Sequence, residues 1–282
     1  MNKSVVITGA STGIGLNTSR LLIDEGFNVF GSVRKAEDGE RVKDQLGDAF
    51  TPLLFDVTDY EAIDQAVEQV SVAVGEAGLA GLVNNAGIAV AGPLIDLSIE
   101  DFKWQFEVNL FGLMAVTKKF LPLLGASKAA SHSPGRIVNI SSVSGQFAFP
   151  FFGAYAGSKY AVEAISHALR RELMIYGIDV IVVGPGSVKT PIWDKRGGIT
   201  DEKFAGSDYE KNMGMLEEIT RQGNETGMSA ELVSQAIFYG LTDQSPRTRY
   251  GLYNDFVQRI IRFLPDRLVD QQIAKQLDLT RL

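Results

Sequence analysis

Tyr155 and Lys159 stand one helical turn apart in the run Tyr155-Ala156-Gly157-Ser158-Lys159. On a helix their side chains share a face. A free phenol titrates near about 10, too high for a base at neutral pH. An ammonium beside it favours the phenolate and lowers that value. Such a pair can donate or accept a proton; on its own it could equally be a buried tyrosine with an exposed helical lysine. Upstream, Ser141 and Ser142 offer two hydroxyls, or simply end a strand. Near the N-terminus the chain reads Thr8-Gly9-Ala10-Ser11-Thr12-Gly13-Ile14-Gly15. Glycines there permit a sharp turn and a close backbone approach to a pyrophosphate, and a following helix adds partial positive charge. The spacing is G-x-x-x-G-x-G, not the commoner G-x-G-x-x-G, and a plain tight turn is the alternative.

These residues need elements to position them, and the pattern supplies a regular alternation. Ser4–Thr8, Asn28–Val33, Pro52–Phe55, Leu79–Val83, Arg136–Ile140 and Ile178–Val183 read as short apolar strands. Gly13–Glu25, Asp59–Val74, Glu100–Leu124 and Ala154–Tyr176 read as helices between them. Continuous apolar strands alternating with helices predict an α/β fold, a doubly wound Rossmann-like parallel sheet. The chain is expected to form a single domain over 1–282. A cofactor-binding half would run to about 130, and a catalytic and substrate half from about 131. Ligands of such sheets sit beyond the carboxyl ends of the strands, where Thr8–Gly15, Ser142 and Tyr155 fall. Residues 189–224 lack strong periodicity and read as a mobile insertion. Phe256, Ile260, Phe263 and Leu264 outline an amphipathic helix ending before Pro265. That helix is expected to pack, though Arg259 and Arg262 could meet a membrane surface.

Composition narrows the functional classes. A formal charge of −7 argues against nucleic acid as a partner. The absence of cysteine removes disulfides, thiolate metal sites and cysteine nucleophiles. Two histidines, His132 and His167, are too few for the usual histidine-rich metal site, so no metal is expected. The apolar run Val5–Ile7 reaches Gly9 too soon for a signal peptide. No transmembrane stretch is visible, and a cytoplasmic location is expected.

Taken in order, Thr8–Gly15, Asn84-Asn85-Ala86-Gly87, Asn109, Ser142, Tyr155-x-x-x-Lys159 and Pro185-Gly186 followed by Thr190 resemble the classical short-chain dehydrogenase/reductase family. The resemblance covers about 5–190. It implies an NAD(P)-dependent oxidoreductase interconverting a carbonyl and an alcohol, with Asn109, Ser142, Tyr155 and Lys159 as the catalytic set. Tyr155 would exchange the proton and Ser142 would hold the substrate oxygen, chosen over Ser141 by its spacing to Tyr155. Lys159 would lower the tyrosine pKa and hold the nicotinamide ribose. Asn109 would support a water and proton relay, or else bond nearby backbone.

The resemblance also assigns the cofactor's surroundings. Gly9, Ser11, Thr12, Gly13, Ile14 and Gly15 would cradle the pyrophosphate. Asp56 and Val57 would flank the adenine. Asn84, Ala86 and Gly87 would line the ribose side, and Pro185, Gly186, Val188 and Thr190 the nicotinamide end. At the end of the second strand, Val33 stands where an NAD-type relative carries an acid, and Arg34 and Lys35 follow. That favours NADP(H), with NAD(H) possible, because Glu37 and Asp38 could make this a merely solvated turn. Phe147, Phe149, Phe151, Phe152, Trp193, Met213, Met215 and Leu216 could line a pocket for an apolar ketone or aldehyde, steroid- or retinoid-like, or simply pack. The tail from Arg249 to Pro265 resembles the retinol- and steroid-dehydrogenase-like branch. The family implies a homodimer or homotetramer. The rival readings are a ketoacyl-thioester reductase, a non-catalytic NADP(H) sensor and an epimerase or dehydratase of the extended branch.

Overall fold

Short apolar strands are buried on both faces only if helices cover each side. In the computed structural model, which describes residues 3–190, 192 and 201–279, seven strands do this in one sheet. They are β1 (Ser4–Ile7), β2 (Asn28–Val33), β3 (Phe50–Leu54), β4 (Gly81–Asn84), β5 (Arg136–Ile140), β6 (Asp179–Pro185) and β7 (Arg249–Leu252). The order is β3-β2-β1-β4-β5-β6-β7, and every pairing is parallel. Along β1, side chains alternate between two cores. Val6 joins Leu82, Ile137 and Val180 beneath one helical layer, while Val5 and Ile7 join Val83, Val138 and Ile181 beneath the other. The strand order reverses between β1 and β4, so the loops leaving these two strands diverge and open a crevice.

The helices are α1 (Gly13–Asp24), α2 (Ala36–Leu46), α3 (Tyr60–Val74), α4 (Ile99–Phe106), α5 (Leu113–Phe120), α6 (Gly153–Glu172), α7 (Glu210–Thr226), α8 (Ala230–Thr242), α9 (Phe256–Ile260) and α10 (Asp266–Gln276). The long helix expected over 100–124 is present with a change of winding. Ser98 caps α4 by accepting from the Asp101 N–H at 3.0 Å. A π-helical stretch, Glu107–Gly112, then joins α4 to α5. π-Turns commonly mark functional positions, and this one carries Asn109.

Several expectations are corrected. The segment 189–224 contains α7, whose Met213 and Leu216 are fully buried in the core. Gly214 and Gly223 within α7 weaken its helical signal. The segment is also fastened at its start, where Lys189 N–H donates to the Met228 carbonyl at 3.1 Å. Residues 191 and 193–200, including Trp193, lie outside the described residues. The helix through Phe256 does stop before Pro265, but two of its aromatic side chains face outward, Phe256 at 70% exposed and Phe263 at 73%, while Ile260 is half-buried. Helices α2, α8 and α10 and strand β7 were not foreseen.

Gly31 on β2 shows how tightly the sheet is packed. A Cβ there would lie 2.4 Å from the Phe50 ring and 2.7 Å from Ala10 Cβ. Gly31→Ala gains about 0.4–1 kcal/mol from reduced chain entropy. Overpacking costs about 1–3 kcal/mol and dominates. Thermal unfolding should show a midpoint several degrees lower; an unchanged or raised midpoint would contradict this packing.

Candidate active site

The glycine turn is built at the β1/β4 switch. Gly9 and Gly13 have φ of 69° and 56°, a left-handed backbone that favours glycine. A Cβ on Gly15 would lie 2.2 Å from the Gly9 carbonyl oxygen, so only glycine lets α1 sit this close to the turn. The turn is fixed from both neighbouring strands. Asn85 Nδ2 donates to the carbonyls of Thr8 (2.9 Å) and Gly9 (3.1 Å). Thr8 Oγ1 accepts from the N–H groups of Asn85 and Ala86, and the Gly9 N–H donates to Ser32 Oγ. The first turn of α1 carries no acidic residue, which suits an anion at its N-terminus.

Beyond this turn lies a cavity of about 480 Å³. Gly9, Thr12, Gly13 and Ile14 form one end. Ala86 and Gly87 line its side, and Pro185, Gly186, Val188 and Thr190 line the far wall. Ser142, Tyr155 and Lys159 complete it. Not every expected residue reaches this space. Asn84 is turned away by strand alternation and donates to Thr117 Oγ1 and Asn139 Oδ1 beneath the sheet. Asn85 takes its place in the wall. Ser11, Gly15, Arg34, Asp56 and Val57 also lie outside this wall. Asp56 accepts from the N–H and hydroxyl of Thr58, closing its own turn, and Val57 packs over Gly112. Arg34 is exposed at the end of β2. Arg41 on α2, which sequence reasoning missed, donates to the Ser11 carbonyl at 2.9 Å. Only folding brings it to the glycine turn.

At the other end, Tyr155 is buried on the first turns of α6. Burial raises its pKa above the ordinary phenol value, and a hydrogen bond with the Ser142 side chain partly offsets this. Ser142 Oγ also accepts from the Ser144 N–H at 3.0 Å, which fixes its rotamer at the end of β5. Ser141 is buried, with its Oγ directed toward Gly145. Lys159 is slightly more buried than Tyr155, and its Nζ donates to the Ile140 carbonyl at 2.8 Å and lies 5.8 Å from the Tyr155 ring centroid. Burial thus acts on the Tyr155 phenol in the opposite sense to the lowering expected from Lys159. Asn109 accepts from the Ile88 N–H at 2.9 Å and donates to the Ile88 carbonyl and Ser158 Oγ, tying the loop after β4 to α6. Met213 and Leu216 belong to the core; Ile219 and Gly223 of α7 face the cavity instead.

The residues fit a dinucleotide. Left-handed glycines, an acid-free helix start and a crevice at the strand reversal are what a pyrophosphate needs. A profile described as short chain dehydrogenase matches residues 3–198. The chain is a short-chain dehydrogenase/reductase. It is an oxidoreductase acting on alcohol or carbonyl groups with a nicotinamide cofactor. An NADPH-dependent 3-dehydrocapnine reductase of Ornithobacterium rhinotracheale is 40% identical over 276 residues, covering 96% of each chain. A 17-beta-hydroxysteroid dehydrogenase type 6 of Bos taurus is 35% identical, covering 97% of this chain and 88% of that protein. A crystal structure of a short-chain dehydrogenase from Streptomyces avermitilis aligns with a TM-score of 0.81 at 27% identity, covering 98% and 97% of the two chains.

Behind the catalytic face of this dehydrogenase sits an ion pair that the motifs did not signal. Arg249 Nε on β7 lies 3.1 Å from Glu163 Oε1 on α6, with side chains only 15% and 9% exposed. Its Nη2 lies 3.5 Å from the Ser142 carbonyl. Gly184 and Gly251 leave room for the guanidinium; a Cβ on Gly184 would meet it at 2.2 Å. Arg249→Met strands a buried carboxylate and should cost about 3–5 kcal/mol in urea unfolding. The double variant Glu163→Met/Arg249→Met should recover most of that loss. Equal losses in the single and double variants would contradict the pairing.

Proposed function

We propose that this enzyme reduces an apolar ketone or aldehyde to the alcohol and prefers NADPH. The observation that carries the reading is the Tyr155 hydroxyl, hydrogen-bonded to Ser142 in the cavity wall beside Lys159. A phenol is protonated through neutral pH, which suits the proton donation that reduction requires. The bound nicotinamide cofactor supplies the hydride. Tyr155 gives its proton to the carbonyl oxygen as negative charge gathers there, and the Ser142 hydroxyl orients that oxygen. Lys159, anchored on the Ile140 carbonyl, holds the ribose side of the cofactor and offers positive charge to the tyrosine. Asn109 keeps the loop after β4 in place beside them and supports the proton relay.

The glycine turn from Gly9 to Gly15, with Ser11 and Thr12, takes the pyrophosphate. Asp56 and Val57 take the adenine end, and Ala86, Gly87, Pro185, Gly186, Val188 and Thr190 the nicotinamide half. Arg34 supports the NADPH preference, and Arg41 adds a second guanidinium beside the turn. The similarity to an NADPH-dependent reductase agrees with this. Phe147, Phe149 and Phe152 in the cavity wall support an apolar substrate. Among the described residues no helix is long and apolar enough to cross a membrane. Phe111 and Tyr160, exposed on the two long helical stretches, support pairing into a homodimer or homotetramer.

The test is turnover and binding together. Tyr155→Phe should lower kcat by roughly three orders of magnitude or more, while NADPH binding by fluorescence stays near wild type. The wild-type protein should bind NADPH more tightly than NADH. Retained turnover in Tyr155→Phe would refute the proton donor, and equal affinity for both cofactors would refute the preference.

A further inference from the structure

The cavity beside Tyr155 is walled in part by surfaces assigned above to the dinucleotide and in part by Phe147, Phe149, Phe152, Ile219 and Ile261. A dinucleotide bound there would take up much of the roughly 480 Å³. The body of a large substrate would extend past the aromatic part of the wall. A second cavity of about 640 Å³ adjoins the first, and Phe147, Phe149 and Ile261 line both. Its apolar lining comes from Leu94 and Phe151 on one side and from Val269, Ile273 and Ala274 of α10 on the other, with Gln146 and Tyr160 among its polar groups. The charged groups that line it, Arg262, Asp266 and Asp270, are exposed and form its solvent rim. Arg262 is bonded there to Gln146.

We propose that this second cavity is a subsite for a linear alkyl chain of the substrate. The chain runs from the carbonyl at Tyr155 past Phe147, Phe149 and Ile261 and lies against α10. The inference rests on the reductase reading and adds the substrate class: a ketone or aldehyde whose reacting carbon lies near one end of a long saturated chain. The shared wall consists of three side chains on rotatable bonds. A string of methylenes passes it by rotamer shifts, whereas a rigid fused-ring system must displace all three at once. Val269, Ile273 and Ala274 offer methylenes an apolar contact that a charged tail would not gain.

The test is a series of 2-alkanones from pentan-2-one to pentadecan-2-one with NADPH. Beyond the length that reaches the aromatic wall, kcat/KM should rise roughly two- to fourfold for each methylene buried. Ala274→Trp fills the second cavity and leaves the first untouched. It should cut the long-chain advantage by roughly tenfold or more, with pentan-2-one turnover within about twofold of wild type. Ala148→Leu, also in the wall of the second cavity alone, repeats the test if the indole disturbs α10. Calorimetric binding of pentadecan-2-one in the presence of NADP+ reads the subsite without turnover. Flat kcat/KM across the series, or a preference for fused-ring ketones that survives Ala274→Trp, would overturn the subsite and leave the reductase reading intact. Chain binding weakened by Ala274→Trp, without turnover of any carbonyl, would support the subsite and sink the reductase reading.

Discussion

The site depends on one junction, the contact between the loops leaving β1 and β4. Two adjacent parallel strands whose connections depart in opposite directions leave a gap above their carboxyl ends. Thr8 and Asn85 hold that gap open in a defined shape by exchanging hydrogen bonds between side chain and backbone. Ser32 on β2 adds a third strand to the support. The left-handed glycines and the start of α1 can then face the gap. Without this tie, neither the shape of the glycine turn nor its distance to Tyr155 would be set by the sheet.

The reacting face is held by a second group of buried contacts. Lys159 reaches back to the end of β5, and Ser142, which leaves that strand, is held by the Ser144 N–H. Glu163 lies one turn beyond Lys159 and binds Arg249 from the last strand. Strands β5 and β7 and helix α6 are thus fastened together around the tyrosine. Lys159 and Ser142 are bonded to backbone here, and Glu163 and Arg249 are charge-paired, as burial demands. Rigid support of this kind is what proton transfer at a fixed distance requires.

Much of this was legible in the sequence because it is local. The glycine turn, Tyr155 with Lys159, and the apolar strands each announce themselves within a few residues, and their order gave the family. Asn84 was misplaced because its neighbour Asn85 has the same side chain, and only the strand's two-residue alternation decides which faces the crevice. Arg41 and Arg249 were invisible because each acts on a partner distant in sequence, Ser11 and Glu163. Helix α7 was hidden by its own glycines and its charged outer face. The outward-facing Phe256 and Phe263 follow the helical period expected of a packed face, and periodicity alone does not say which side is covered.

The central proposal is that Tyr155 is the proton donor to the substrate oxygen. Its most direct test is the pH dependence of the chemical step in both directions, measured at saturating cofactor and substrate. Because the reactive form for reduction is the protonated phenol, kcat for carbonyl reduction should fall as pH rises through the tyrosine's pKa. Alcohol oxidation needs the phenolate, so its kcat should rise over the same range. A reduction rate that increases with pH, or opposing reactions that follow the same limb, would contradict the account.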